Sequence, residues 1–149
     1  MDRHEMAKKL YQARKMQTPE EVKTFEKARV FLFSTRDSFI LSALFAAFDD
    51  STEQHEVMWG LIHDAEAFNR EIYVREMAMA IPRMLPHSKN WALLILQRVL
   101  SNKEAFLIYR NVVPNLSLET KEANKKLLGK IGKSKPKLGK QVRELLKLL

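Results

Sequence analysis

The sequence predicts an all-α protein of stacked helical hairpins, a short HEAT-like solenoid, with an irregular helical bundle as the alternative. Three observations carry that expectation. Glycine (4) and proline (5) are scarce among 149 residues, while Leu, Ala, Lys, Glu and Met, which lose little rotamer freedom in a helix, are plentiful. Apolar residues recur at helical spacing in segment after segment. Cap-forming residues stand at the starts of those segments. With 46% hydrophobic residues, a chain of this length can bury a sizeable core, so one domain over residues 1–149 is expected.

The elements follow in order. Residues 2–16 read as a short polar helix with Met6, Leu10, Tyr11 and Ala13 on its apolar side. Thr18-Pro19-Glu20-Glu21 supplies an N-cap, a proline at the first helical position and a capping-box glutamate for a helix to about Phe33. Ser34 to Asp37 breaks the pattern and caps a third helix, Ser38 to Phe48, which is apolar nearly all round and therefore buried on most sides. Asp49 to Thr52 opens a fourth, about Glu53 to Phe68. Asn69 caps a fifth that ends or kinks at Pro82. Ser88 caps a sixth, Lys89 to Leu100, Asn102 a seventh ending before Pro114, and Ser117 an eighth to about Ile131. Gly132 to Pro136 reads as a flexible basic hinge, and Leu138 to Leu149 as a final amphipathic helix.

A shift of 32 residues superposes Trp59 on Trp91, Leu61 on Leu93, Ile62 on Leu94, Phe68 on Leu100, Ile81-Pro82 on Val113-Pro114 and Met84 on Leu116. Each unit is a helix, a turn and a second helix ending at proline, the size of a two-helix solenoid repeat. Helix pairs of similar length would also align in part, which keeps the bundle alternative open.

Composition excludes several function classes. Without cysteine there is neither a disulfide framework nor a thiolate metal site. His4, His55, His63 and His87 have no spacing that sets two imidazoles on adjacent turns, so no metal is expected. No nucleophile–base pair, phosphate-cradling glycine loop or cofactor motif is present, so no catalytic residue, no cofactor, no small-molecule substrate and no enzyme activity are expected. The first residues lack the apolar stretch of a signal peptide, and the longest mostly apolar run, Phe39 to Phe48, is too short to span a bilayer; the expected location is the cytoplasm, without membrane contact.

Net charge is +8, unevenly spread. Residues 1–36 hold nine basic and five acidic side chains, residues 37–124 eight and twelve, and residues 125–149 nine and one. The body is acidic and the C-terminal segment basic. Lys125, Lys126, Lys130, Lys133, Lys135, Lys137 and Lys140 could neutralise phosphates, but no aromatic residue follows Tyr109 to stack on bases. Direct nucleic-acid binding is therefore disfavoured, and a solvated lysine face on a terminal helix is the simpler expectation.

The fourth helix carries the candidate binding face. At about 100° per residue, Val57, Met58, Leu61, Ile62, Ala65 and Phe68 fill one side, and Glu56, Trp59, His63 and Glu66 lie opposite. Asp49, Asp50 and Glu53 precede this stripe; Asp64, Glu71 and Glu76 follow. An indole among carboxylates suits a basic partner, because the ring is a rigid apolar anchor and the charges steer encounter. The competing expectation is structural: Trp59 packs against a neighbouring hairpin, and Asp49 and Asp50 act as helix caps. Carboxylates spread along an exposed stripe do not form the cleft-bound pair that acid–base chemistry requires.

The stretch Leu44 to Asp50, followed by Glu56-Val57-Met58-Trp59-Gly60-Leu61-Ile62-His63 and Glu66, resembles a family of bacterial immunity proteins encoded beside polymorphic toxins, including those of contact-dependent growth inhibition systems. The similarity continues through Tyr73, Ala80-Ile81-Pro82, Trp91, Leu94 to Leu100 and Asn102, and so covers roughly residues 37–124. It implies a non-catalytic cytoplasmic protein that binds a toxin domain and blocks its active site or its access to its target. Asp49, Asp50, Glu56, Trp59, His63 and Glu66 are the positions of the family-like segment that match the face chosen on geometry, with Glu53 beside them. Toxins of this kind are often nucleases, whose basic clefts an acidic surface would complement. The first 36 residues and the lysine-rich tail fall outside the resemblance, and the basic overall balance departs from what a nuclease inhibitor would carry. The alternative function is a small HEAT-like scaffold or nucleic-acid-associated module that uses the basic ends.

Overall fold

The computed structural model describes residues 2–149, which form an all-α fold with no strand among them. The helices are α1 (Arg3–Gln12), α2 (Pro19–Ser34), α3 (Ile40–Ala46), α4 (His55–Glu66), α5 (Arg70–Ser101), α6 (Lys103–Val112), α7 (Leu118–Ser134) and α8 (Gly139–Leu146), with 3-10 turns at Val113–Asn115 and Pro136–Leu138. None is long and apolar enough to cross a membrane.

Four helix starts are set by residues the sequence marks as caps, Thr18, Asn69, Asn102 and Ser117, and Asp2 does the same for α1. Asp2, Thr18, Asn69, Asn102 and Ser117 each accept a backbone amide from the first turn of α1, α2, α5, α6 and α7, which satisfies donors that helix geometry leaves without partners. Glu21 turns back as expected, but its Oε1 accepts from the amide of Gln17 at 3.0 Å, one position ahead of the cap.

The long helix departs from the sequence expectation. It continues through Pro82 and Pro86 and is interrupted at Ser88, whose φ of −140° and ψ of 35° lie outside the helical region. Proline has no N–H to offer the carbonyl four residues earlier. For Pro82 that carbonyl belongs to Ala78, and the buried side chain of Asn124 on α7 donates Nδ2 to it at 3.0 Å. A partner from a neighbouring helix thus replaces the missing bond, and the helix persists.

Ser88 does not cap the second half of α5 as its sequence position suggests. Its hydroxyl turns back to the carbonyl of Met84 at 3.0 Å. The amides of Asn90 and Trp91 are taken by the carboxylate of Asp50, at 2.9 and 3.3 Å.

The segment expected as a hinge is also helical as far as Ser134. A Cβ at Gly132 would lie 3.1 Å from Val142 Cγ1, so glycine there lets α8 approach α7. Val142 and Leu145 are buried at that contact, and Arg110 on α6 pairs with Glu144 at 2.9 Å. The terminal helix is docked, while all eight lysines of residues 125–149 point to solvent.

Buried residues from Met6 to Leu145 form one contiguous core that includes all of the chain's helices. Ion pairs join side chains 32–35 positions apart: Arg14–Asp49 and Arg29–Asp64, which are largely buried, and Arg3–Asp37, Glu66–Arg98, Arg70–Glu104 and Arg110–Glu144 nearer the surface. That interval is about one helix pair. The exposed pairs among them add little individually.

Candidate functional site

Helix α4 buries Met58, Leu61, Ile62 and Ala65, the apolar side its periodicity requires. Its other side presents His55, Glu56, Trp59 and His63, of which all but Trp59 are exposed. The seven residues proposed for the site have separate structural roles.

Asp49 and Asp50 face inward. Asp49 is buried, accepts from the amide and hydroxyl of Ser51 at 2.8 and 2.6 Å, and lies 3.0 Å from Arg14 Nε. The Arg14 contact is an ion pair without hydrogen-bond alignment, since neither atom has such a partner. Burial pushes the Asp49 carboxyl upward, but the Ser51 bonds and the charges of Arg14 and His87 outweigh it and hold the carboxyl below its ordinary value. Asp50, half-buried, holds the second half of α5 as described. Both carboxylates are committed within the protein and brace the loop that leads into α4.

Glu53 and Glu56 are exposed and make no ion pair. His63 is exposed, with Nδ1 3.8 Å from Glu66 Oε1. Glu66 is committed: its two oxygens accept from Nε and Nη2 of Arg98 at 2.7 and 2.9 Å, a bidentate arrangement that fixes both side chains. Asp64 is turned from this face toward α2, where Arg29 donates to it at 2.8 Å. Burial raises its carboxyl above the ordinary value despite the Arg29 bond.

Trp59 is half-buried and lies between these groups. Its ring meets Trp91 edge to face at 6.1 Å and His63 at 6.1 Å, and the Arg98 guanidinium lies over it at 5.5 Å. Trp91 also contacts His55 at 6.1 Å and Phe48 at 5.9 Å. The two tryptophans superposed by the 32-residue shift therefore touch and form the centre of an aromatic row, His55–Trp91–Trp59–His63. The row rests on the core at Phe48; Glu56 stands in the first turn of the same helix and Glu53 in the loop before it. An indole held on two sides by other rings loses little freedom when a partner covers the remainder.

Sequence reasoning did not select Trp91, His55 or Arg98 for this face. The signal was available for two of them: the repeat shift pairs Trp59 with Trp91, and Glu66 stands at the same 32-residue interval from Arg98. Arg98 also lines a cleft of about 530 Å³ with Glu66, Arg70, Tyr73 and Gln97. No group of three or more His, Asp or Glu side chains among the described residues could hold a metal ion.

Comparison with known proteins adds one finding. Residues 12–109, well over half of the chain, match the family described as Immunity protein 30. The match begins in α1, spans the whole aromatic row and ends in α6 at Tyr109. Neither a curated protein nor a solved structure matches the chain.

Proposed function

Because this chain belongs to the immunity protein 30 family, we propose that it binds a toxin domain through the aromatic row centred on Trp59 and so covers the toxin's active site or blocks its access to its target. The reading places it in the cytoplasm, opposite a toxin of the polymorphic or contact-dependent growth inhibition kind, and requires no catalysis. Its central support is Trp59, an indole pinned by Trp91 and His63 yet left partly open, with the exposed, unpaired carboxylate of Glu56 on the same helix and that of Glu53 in the loop before it. Rigid aromatic residues supply most of the affinity in protein interfaces, while charges at the rim govern encounter and register. The carboxylates favour a basic toxin surface, as a nuclease cleft would offer.

Asp49, Asp50 and Glu66 enter this proposal as supports. Asp49 and Asp50 fix the loop before α4, and Glu66 fixes Arg98 against the face of the indole. Contact with the toxin falls to Glu53, Glu56, Trp59 and His63. The test is capture of the partner from the native host with the full chain as bait, followed by affinity measurement with a Trp59→Ala, Glu56→Ala variant. A toxin bound as tightly by the double variant as by the parent would remove the face from consideration.

The eight exposed lysines of residues 125–149 support a second reading, a nucleic-acid-associated module. Retention on duplex DNA that falls steeply with salt, and that disappears when Lys125, Lys126 and Lys130 are changed to glutamate, would favour it.

A further inference from the structure

A second groove, of about 390 Å³, lies between the first half of α5 and α6 with the turn that follows it. Its lining steps by four on both sides: Glu71, Arg75 and Met79 on α5, and Ile108, Val112 and Leu116 across from them. Arg70 pairs with Glu104 at the start of both helices, so the two stripes run side by side in one direction. Met79 is 42% exposed, and Ile108, Val112 and Leu116 are half-buried. Leu107 and Leu118, close to the lining in the chain, are exposed as well. The fold therefore leaves a strip of apolar surface uncovered here, and no residue of the aromatic row belongs to it.

The polar groups of the groove are unused. Glu71 and Arg75 are exposed and make no ion pair, whereas Arg70, Arg98 and Arg110 are each tied to a carboxylate. The Asn111 side chain is exposed and has no partner; only its main-chain carbonyl is engaged, by Asn115 Nδ2 at 3.1 Å. Arginine and methionine are enriched at the centres of protein interfaces and lysine is depleted. The groove has the first two and no lysine, and its one acid and one base cancel. That neutrality bears on the occupant. A chain of net charge +8 repels its own copy, most of all along the lysines of residues 125–149, and the groove offers a neutral, apolar approach.

We propose that this groove is the contact through which two copies of the chain pair, about a two-fold axis that runs along it. Such an axis lays α5 of each copy over α6 of the other in the same direction, so residues level with one another across the groove stay level between copies. Met79 of each copy then enters the other's groove beside Val112 and Leu116. Arg75 reaches the Asn111 side-chain oxygen of the other copy, a cation with five donors against a free acceptor. Each contact occurs twice, and an apolar stripe covers an apolar stripe. The inference is independent of docking through Trp59, since the two surfaces share no residue, and the pair would carry two aromatic rows.

Sedimentation equilibrium of the full chain should show a reversible two-copy species that grows with concentration. Met79→Asp, at an exposed position, should remove that species while the circular dichroism spectrum of the single copy stays that of the parent. Arg75→Ala should weaken pairing by about tenfold or more, because two charged hydrogen bonds are lost per pair, and Trp59→Ala should leave it unchanged. In a mixed sample, with labelled methionine methyls in one copy and labelled valine and leucine methyls in the other, Met79 should give cross-peaks to Val112 and Leu116 between copies. A single-copy mass at every concentration would overturn the proposal. So would a two-copy species that persists in Met79→Asp or lacks those cross-peaks, since the contact would then lie elsewhere. A chain that stays single and loses the captured toxin on Met79→Asp would assign the groove to the toxin and overturn the proposal in the same way.

Discussion

Asp50 Oδ2 accepts the backbone amide of Asn90 at 2.9 Å, so a carboxylate from the loop before α4 caps a helix that begins forty positions later. Its other oxygen takes the amide of Trp91 at 3.3 Å, and its own amide donates to the carbonyl of His87 at 2.9 Å. The loop and the break at Ser88 are thereby locked together, and Trp91 is held under Trp59. Asp50→Ala should destabilise the chain by about 1–2 kcal/mol, the cost of losing a helix N-cap. Asp50→Asn, which keeps an acceptor, should lose less. Urea denaturation of both variants checks the order; equal losses would mean that the amide contacts contribute nothing.

This cap also marks where sequence reading stops. Caps local to their helix were legible, as Thr18, Asn69, Asn102 and Ser117 were, because the signal and the helix it starts are adjacent in the chain. Asp50 could be recognised as a cap-forming residue, but not as the cap of a helix forty positions away. Pro82 was misleading for a related reason: a break is the local expectation, and the Asn124 amide that removes the need for it comes from α7. On the candidate face, periodicity located Trp59, Glu56 and His63 on the side away from the core. It could not register that Glu66 is committed to Arg98 or that Asp49 is buried against Arg14, because both depend on where another helix lies. The repeat shift held part of that information, in the pairing of Trp59 with Trp91.

Asp49 links acid sensitivity to the geometry of the loop. Its folded-state value is depressed below 3.8, so its contribution is fully present above the unfolded-state value and is lost as pH falls through the folded-state one. Asp49→Asn should therefore be less stable than the parent at neutral pH, and the gap should narrow as pH falls below 3.8. Urea midpoints of the pair between neutral and acid pH would read this directly. A gap that stays constant down the series would mean that the charge of Asp49 is not what stabilises the loop.

Trp59 and the carboxylates beside it should separate in kinetics. Removing the indole with Trp59→Ala should weaken the toxin complex by about 2 kcal/mol or more, roughly thirtyfold, mainly through faster dissociation. Glu53→Gln and Glu56→Gln should instead slow association at low salt, and the difference should shrink as ionic strength rises. Surface plasmon resonance against the captured toxin at two salt concentrations distinguishes the cases. Association rates unchanged by both glutamine variants would remove the steering role.

The buried polar set around Asn124 gives a test of why α5 survives Pro82. Asn124 is fully buried. Its Nδ2 donates to the carbonyls of Ala78 and Thr120 at 3.0 and 2.8 Å, and its Oδ1 accepts from the Tyr109 hydroxyl at 2.7 Å. Replacing it with leucine leaves the Tyr109 hydroxyl and the Ala78 carbonyl without partners, at about 1–3 kcal/mol for each. The Ala78 part of that loss exists only because residue 82 has no N–H. In a Pro82→Ala background the new amide can bond Ala78 along the helix, so Asn124→Leu should be less damaging there by about 1 kcal/mol or more, a coupling that a double-mutant cycle isolates. Tyr109→Phe serves as the control: its loss should be unaffected by the residue at position 82, since its bond goes to the opposite end of the same amide. Additive losses for Pro82→Ala and Asn124→Leu would mean that the Ala78 carbonyl is not what joins α7 to the proline, and another account of the uninterrupted helix would be needed.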